Sequence, residues 1–263
     1  MESDERLSYT TITETPGVGA SREQLSMLYT RYRFAASFCK GKEVLEVACG
    51  AGQGLGYLAR VAERVVGGDI DETNLRCAGE RYRERPNVAI RKMDAHRLPF
   101  EGNSFDVILL YEAIYYLEHP DRFLEECRRV LRDQGMLLIC TINKDWPDFN
   151  PSPFSTKYFS SRELIELLER HQFDVELYAA FPVAMKSTKE QIVSMLKQTA
   201  VALHLIPKTM KGKEMLKRIF FGKLSPLPPE VEEGMAEYAP PMPIFSDSSE
   251  GDYKVLYAVA RVG

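Results

Sequence analysis

Short, almost continuous apolar runs alternate along the chain with longer stretches whose apolar residues recur at helical spacing. The runs at 43–48, 64–69, 87–91, 105–110, 136–141, 173–179 and 253–262 read as strands. The run at 105–110 is apolar but for Asp106, as a strand covered on both faces should be. Between the strands, 27–39, 55–62, 71–83, 120–131 and 161–171 read as helices, with Gly135 as the stop after the fourth.

Strand and helix in alternation predict an α/β fold with a doubly wound, mostly parallel, seven-stranded sheet. Right-handed crossovers then place helices on both faces. In such sheets ligands bind beyond the carboxyl ends of the strands, near the point where strand order reverses, so the loops after the strands are where chemistry is expected.

The pattern breaks between the sixth and seventh strands, where about 70 residues exceed ordinary loop length. The expected organisation is an N-terminal segment and helix at 1–40, a core at 41–181, a helical insertion at 182–250, and the final core strand at 251–263. The insertion has two halves of opposite charge. Residues 186–223 hold nine basic and two acidic side chains, whereas 225–252 hold seven acidic side chains, six prolines and no Lys or Arg. Its stretch 191–205 is amphipathic through Ile192, Met195, Leu196, Val201 and Leu205. Four roles stay open for it: two halves packed together, a lid over an anionic acceptor, a contact with an anionic membrane surface, or a dimer interface.

Composition narrows the class. At 263 residues one large domain with an insertion is expected, and 44% hydrophobic with 27% charged residues is ordinary for a globular protein. A net charge of −4 argues against a general nucleic-acid binder. Cys39, Cys49, Cys77, Cys127 and Cys140 are scattered without a C-x-x-C pair, so neither a disulfide framework nor a metal site is expected. The polar, acidic start is unlike a signal peptide, and no apolar run approaches the roughly 20 residues of a membrane span. A cytoplasmic location follows as the expectation.

The sharpest local signal is Glu46-Val47-Ala48-Cys49-Gly50-Ala51-Gly52-Gln53-Gly54, a buried strand running into glycines ahead of a helix. Glycine lets backbone turn tightly and approach a ligand without a Cβ in the way. A dinucleotide fingerprint is G-x-G-x-x-G, but here the sixth position is Leu55. Three carboxylates accompany the turn. Glu46 lies in the first strand, Asp69 ends the second, and Asp94 follows the third.

These segments resemble the class I S-adenosylmethionine (SAM)-dependent methyltransferases, whose motifs read E/DxGxGxG, VxGxDIS and DAxxLPFxxxxFDxV. The corresponding residues are the glycine turn, Val66-Gly67-Gly68-Asp69-Ile70-Asp71, Asp94-Ala95-His96-Arg97-Leu98-Pro99-Phe100 and Phe105-Asp106-Val107, in family order over 42–141. SAM carries a sulfonium, a zwitterionic tail, a ribose and an adenine, and no pyrophosphate. The resemblance implies SAM as cofactor, with Glu46 towards its ammonium, Asp69 on the ribose and Asp94 with Ala95 at the adenine. Ala48, Gly50, Gly52, Gln53, Gly54, Ile70 and Tyr111 complete the expected set. Tyr32 joins it because Arg31-Tyr32-Arg33-Phe34-Ala35-Ala36 resembles the N-terminal helix of relatives that modify sugars.

One stretch departs from the family. Many relatives carry E-x-I-E-H-L after the fourth strand, where this chain has Glu112-Ala113-Ile114-Tyr115-Tyr116-Leu117. Their catalytic assignments therefore do not transfer. Candidates for a catalytic role are His119, Tyr115 and Tyr116. The expected activity is methyl transfer to a small-molecule acceptor, a hydroxyl of a sugar or secondary metabolite. A nicotinamide-dependent oxidoreductase and a non-catalytic SAM-binding protein are the alternatives.

Overall fold

In the computed structural model, residues 15–183, 224–244 and 251–263 are described. The chain opens with strand β1 (Gly19–Ala20) and helix α1 (Arg22–Cys39), followed by β2 (Glu43–Val47), α2 (Leu55–Leu58), β3 (Arg64–Asp69), α3 (Glu72–Tyr82) and β4 (Val88–Lys92). Next come β5 (Phe105–Tyr111), a 3-10 turn (Ile114–Tyr116), α4 (Pro120–Val130), β6 (Leu131–Ile142), α5 (Ser161–Arg170) and β7 (Phe173–Pro182). Two short strands, β8 (Ser225–Pro226) and β9 (Met242–Pro243), precede β10 (Tyr253–Val262).

The main sheet runs β4-β3-β2-β5-β6-β10-β7-β9, so the seven expected strands are present and β9 adds an eighth at the edge. The strands β4, β3, β2, β5 and β6 pair in parallel, while β10 runs antiparallel to both β6 and β7. Strand order reverses between β2 and β5. Alternate residues of each strand face opposite layers. Val44, Val107 and Leu109 pack with α1 and α2 residues such as Tyr29 and Leu58, while Leu45, Ile108 and Leu110 pack with Phe123 of α4 and Leu164 of α5. That period of two is why a fully buried strand reads as an unbroken apolar run.

Several boundaries moved for local reasons. Helix α1 starts at Arg22, ahead of the expected 27, because Ser21 caps it. Its hydroxyl accepts from the Gln24 amide and the Ser21 amide donates to Gln24 Oε1, a capping box legible as Ser21-x-x-Gln24. Helix α2 closes after Leu58, short of the expected 62. Gly135 does not stop a helix: α4 already ends at Val130 and Gly135 lies inside β6, beside Gln134 with φ 60°.

Of the insertion expected at 182–250, residues 184–223 and 245–250 lie outside the described residues, and with them the amphipathic stretch 191–205. Residues 224–244 run outside α1, with β8 pairing β1 and β9 joining the sheet edge. Among the described residues no helix is long and apolar enough to cross a membrane.

Candidate active site

A cavity of about 500 Å³ lies at the carboxyl ends of the parallel strands. Its wall combines Leu28, Arg31 and Tyr32 of α1, the end of β2 and the loop after it, Asp69 and Ile70 at the end of β3, 93–96 after β4, and 111–113 with 115–118 at the end of β5. Parallel pairing forces this convergence: β2, β3 and β4 all point their ends the same way, which brings Glu46, Asp69 and Asp94 to one rim.

The glycine turn is held in place from beneath. Ala48 (φ 57°) and Gly50 (φ 55°) are both left-handed, a conformation that costs a residue with a Cβ about 1 kcal/mol or more. Ala48 stands where the family pattern has its first glycine, so the chain carries that strain at the loop. The Gly50 amide donates to Asp69 Oδ2 and the Asp71 amide to Asp69 Oδ1, each at 2.8 Å. Asp69 is thus a buried latch between two strand ends as well as a wall of the cavity. Its burial raises the carboxyl's pKa, against the pull of these backbone bonds.

Two of the expected residues face away from the cavity. Gly52 (φ 75°) turns its carbonyl to α3, where it accepts a 2.7 Å bond from the Tyr82 hydroxyl. At Gly54 a Cβ would sit 1.7 Å from Tyr32 Cε1, so this glycine exists to let the Tyr32 ring press onto the loop. Both build the loop and neither lines the cavity. Gln53 lines it, yet its side-chain amide donates to the Pro228 carbonyl at 2.7 Å.

Tyr32 donates its hydroxyl to Glu46 Oε1 at 2.6 Å. Glu46 is 2% exposed, and its Oε2 is buried without a hydrogen-bond partner. Burial pushes its carboxyl up to about 7. The Tyr32 bond and the Arg31 charge oppose that rise, and Asp69 adds to it. Tyr111 stands beside Tyr32, ring centroids 5.8 Å apart, and its buried hydroxyl also lacks a partner.

Around the rim, Asp94 accepts from the His96 amide at 2.9 Å and lies 2.8 Å from His96 Nδ1. Partial burial works to raise the Asp94 carboxyl, but these bonds hold it below its ordinary value. The His119 amide donates to His96 Nε2 at 3.3 Å, which with the Asp94 contact sets the imidazole as the Nδ1–H form. Ala95 and Ile70 line the cavity, and Ile70 is 51% exposed there.

The three catalytic candidates part company. His119 is exposed, sits at the start of α4 and does not line the cavity. Tyr115 lines it, but its hydroxyl is taken up by Glu112 Oε2 at 2.9 Å and its ring stacks on Tyr158. Tyr116 lines the cavity half-buried. Among the wall residues outside the expected set are the charged Arg31 and Glu112. Arg31 shares the stripe Leu28, Arg31, Tyr32, Ala35 at helical spacing, and an arginine on a buried stripe is the signal that could have found it. Glu112 has φ 52°, a strained turn directly after β5.

Comparison with known proteins agrees with this geometry. Residues 45–139 match the family described as "Methyltransferase domain". A probable S-adenosylmethionine-dependent methyltransferase of Mycolicibacterium smegmatis is 38% identical over 151 residues, covering 55% of this chain and 57% of that protein. A phthiotriol/phenolphthiotriol dimycocerosates methyltransferase of Mycobacterium ulcerans is 42% identical over 100 residues, covering 37% and 36%. The chain therefore spans between about a third and just over half of these relatives. In fold, a SAM-dependent methyltransferase of Thermotoga maritima superposes with a TM-score of 0.59 at 15% identity, over 92% of both chains. Sheet order, glycine turn and the matched segment converge: over residues 45–139 this chain is similar to the methyltransferase-domain family, and its sheet shares the fold of the Thermotoga maritima structure.

Proposed function

We propose that the chain binds SAM in this cavity and transfers its methyl group to a hydroxyl of a small acceptor, a sugar or secondary metabolite. The observation that carries the reading is the set of three carboxylates, Glu46, Asp69 and Asp94, on one rim beside a glycine turn. The residues present suit such a donor. Glu46 Oε2 is a buried acceptor with no partner, matched to an ammonium. Asp69 accepts backbone amides through both oxygens, and a carboxylate's four acceptor positions still leave room for a ribose hydroxyl. Asp94 suits an adenine amine, and exposed Ile70 offers an apolar face for the ring.

When bound, SAM supplies an electrophilic methyl carbon on a sulfonium. The chain's own contribution is alignment, since holding reactants in near-attack geometry is worth roughly 7–11 kcal/mol in favourable cases. Tyr32 and Asp69 serve it by fixing Glu46 and the turn. Among the three candidates, Tyr116 alone both lines the cavity and avoids the Glu112 bond that engages Tyr115. The M. ulcerans relative, named for phthiotriol substrates, supports an acceptor bearing hydroxyls.

Calorimetric titration with S-adenosylhomocysteine (SAH), SAM and NAD⁺ tests the donor. SAH and SAM should bind and NAD⁺ should not; saturable NAD⁺ binding with none for SAH overturns the reading. Label transfer from methyl-labelled SAM to a panel of sugars and hydroxylated metabolites then tests the acceptor.

A further inference from the structure

The described part of the insertion's acidic half, residues 224–244, is bound to the cavity's frame, and not to its mouth. No residue of 224–244 lines the cavity. The Val231 amide donates to the Gln53 carbonyl at 2.8 Å while the Gln53 side chain donates to the Pro228 carbonyl at 2.7 Å, so this loop residue is gripped twice. Further along, Glu233 accepts from the Tyr29 hydroxyl at 2.6 Å and from the Tyr57 hydroxyl, joining α1 to α2. The Gly234 amide returns a 3.0 Å bond to the Tyr29 hydroxyl, and the Ala239 amide donates to Thr30 Oγ1 at 3.1 Å.

Tyr29 and Thr30 lie next to the α1 residues that enter the cavity. Leu28, Arg31 and Tyr32 are cavity wall, and Tyr32 presses on Gly54 and holds Glu46. The strap therefore fixes two walls at once, the glycine turn through Gln53 and α1 through Tyr29. We propose that residues 228–239 are a positioning element of the donor site, with Glu233 as the positioning residue, so that strap docking and donor binding are thermodynamically coupled. This rests on the SAM reading above and extends it to a segment far outside the matched family region. Coupling is reciprocal: if the docked strap tightens donor binding, the bound donor must tighten strap docking by the same factor.

Reciprocity supplies the test. Amide hydrogen exchange of the wild-type chain, with and without saturating SAH, should slow several-fold at Val231 and Gly234. Glu233→Ala should raise the SAH Kd at least ~5-fold and raise KM for SAM more than it lowers kcat, and Glu233→Gln, which keeps one acceptor, should recover part of the affinity. Unchanged exchange at Val231 and Gly234 in SAH-saturated wild type overturns the proposal, even where Glu233→Ala fails to fold. So does a Glu233→Ala protein of lower Tm whose Kd stays within twofold, because packing alone then accounts for the strap. If wild type does not bind SAH at all, the donor reading fails and the coupling falls with it.

Discussion

Replacing Glu46 by Gln isolates the cost of a charge held in the wrong place for stability and the right place for binding. The Glu46 carboxyl, ordinarily near 4.5, is pushed to about 7, chiefly by burial. At about 1.36 kcal/mol per unit, ionising it costs the fold about 3 kcal/mol. The sign follows from proton uptake. Between pH 4.5 and about 7 the folded state holds more protons than the unfolded one, so stability falls as pH rises and the full penalty is present above 7. Glu46→Gln removes that penalty and keeps an oxygen for the Tyr32 hydroxyl. It places an amide N–H where Oε2 now lacks a partner, which costs about 1 kcal/mol. The variant should be more stable than wild type by about 2 kcal/mol at pH 8.5 and less stable by about 1 kcal/mol near pH 4.5. Urea unfolding at both pH values measures this, and other titrations cancel in the difference. A stability difference that is the same at both pH values refutes the argument. SAH affinity should fall roughly 10–100-fold alongside, as for loss of a hydrogen bond to a charged group.

Three further outcomes follow from the same contacts. Asp69→Ala should weaken SAH binding roughly 10–100-fold in calorimetry and lower stability by about 2 kcal/mol, because the Gly50 and Asp71 amides lose their acceptor. Gly54→Ala should destabilise by about 3 kcal/mol through displacement of the buried Tyr32 ring, read as a shift in the urea midpoint; a neutral result contradicts the packing assigned to that glycine. Tyr115→Phe should leave labelled-methyl transfer within a few-fold of wild type while costing about 1 kcal/mol, since its hydroxyl serves Glu112; loss of transfer with an intact fold makes that phenol catalytic after all.

What was legible and what was not divides by the distance over which a residue's role is decided. The rim carboxylates were readable because a strand's end is fixed by its own apolar run, and parallel strands send their ends to one side. Gly52 and Gly54 looked like ligand contacts because the sequence marks that a glycine is needed and not which atom crowds it. Tyr82 and Tyr32 do the crowding, from helices thirty residues downstream and twenty-two upstream. Tyr115 and His119 read as candidates from their position after β5, and only the fold shows one hydroxyl bonded to Glu112 and the other ring outside the cavity.

The amino-acid sequence by itself determined the alternation of strands and helices, the glycine turn and the three carboxylates, because each depends on period and on immediate neighbours. Tertiary structure decided the rest. The grip of 228–239 on Gln53 and Tyr29 joins residues more than 170 positions apart, and the burial of Glu46 requires α1 to lie across β2. Such contacts depend on how layers stack, and no local pattern encodes the partner a side chain meets once they do.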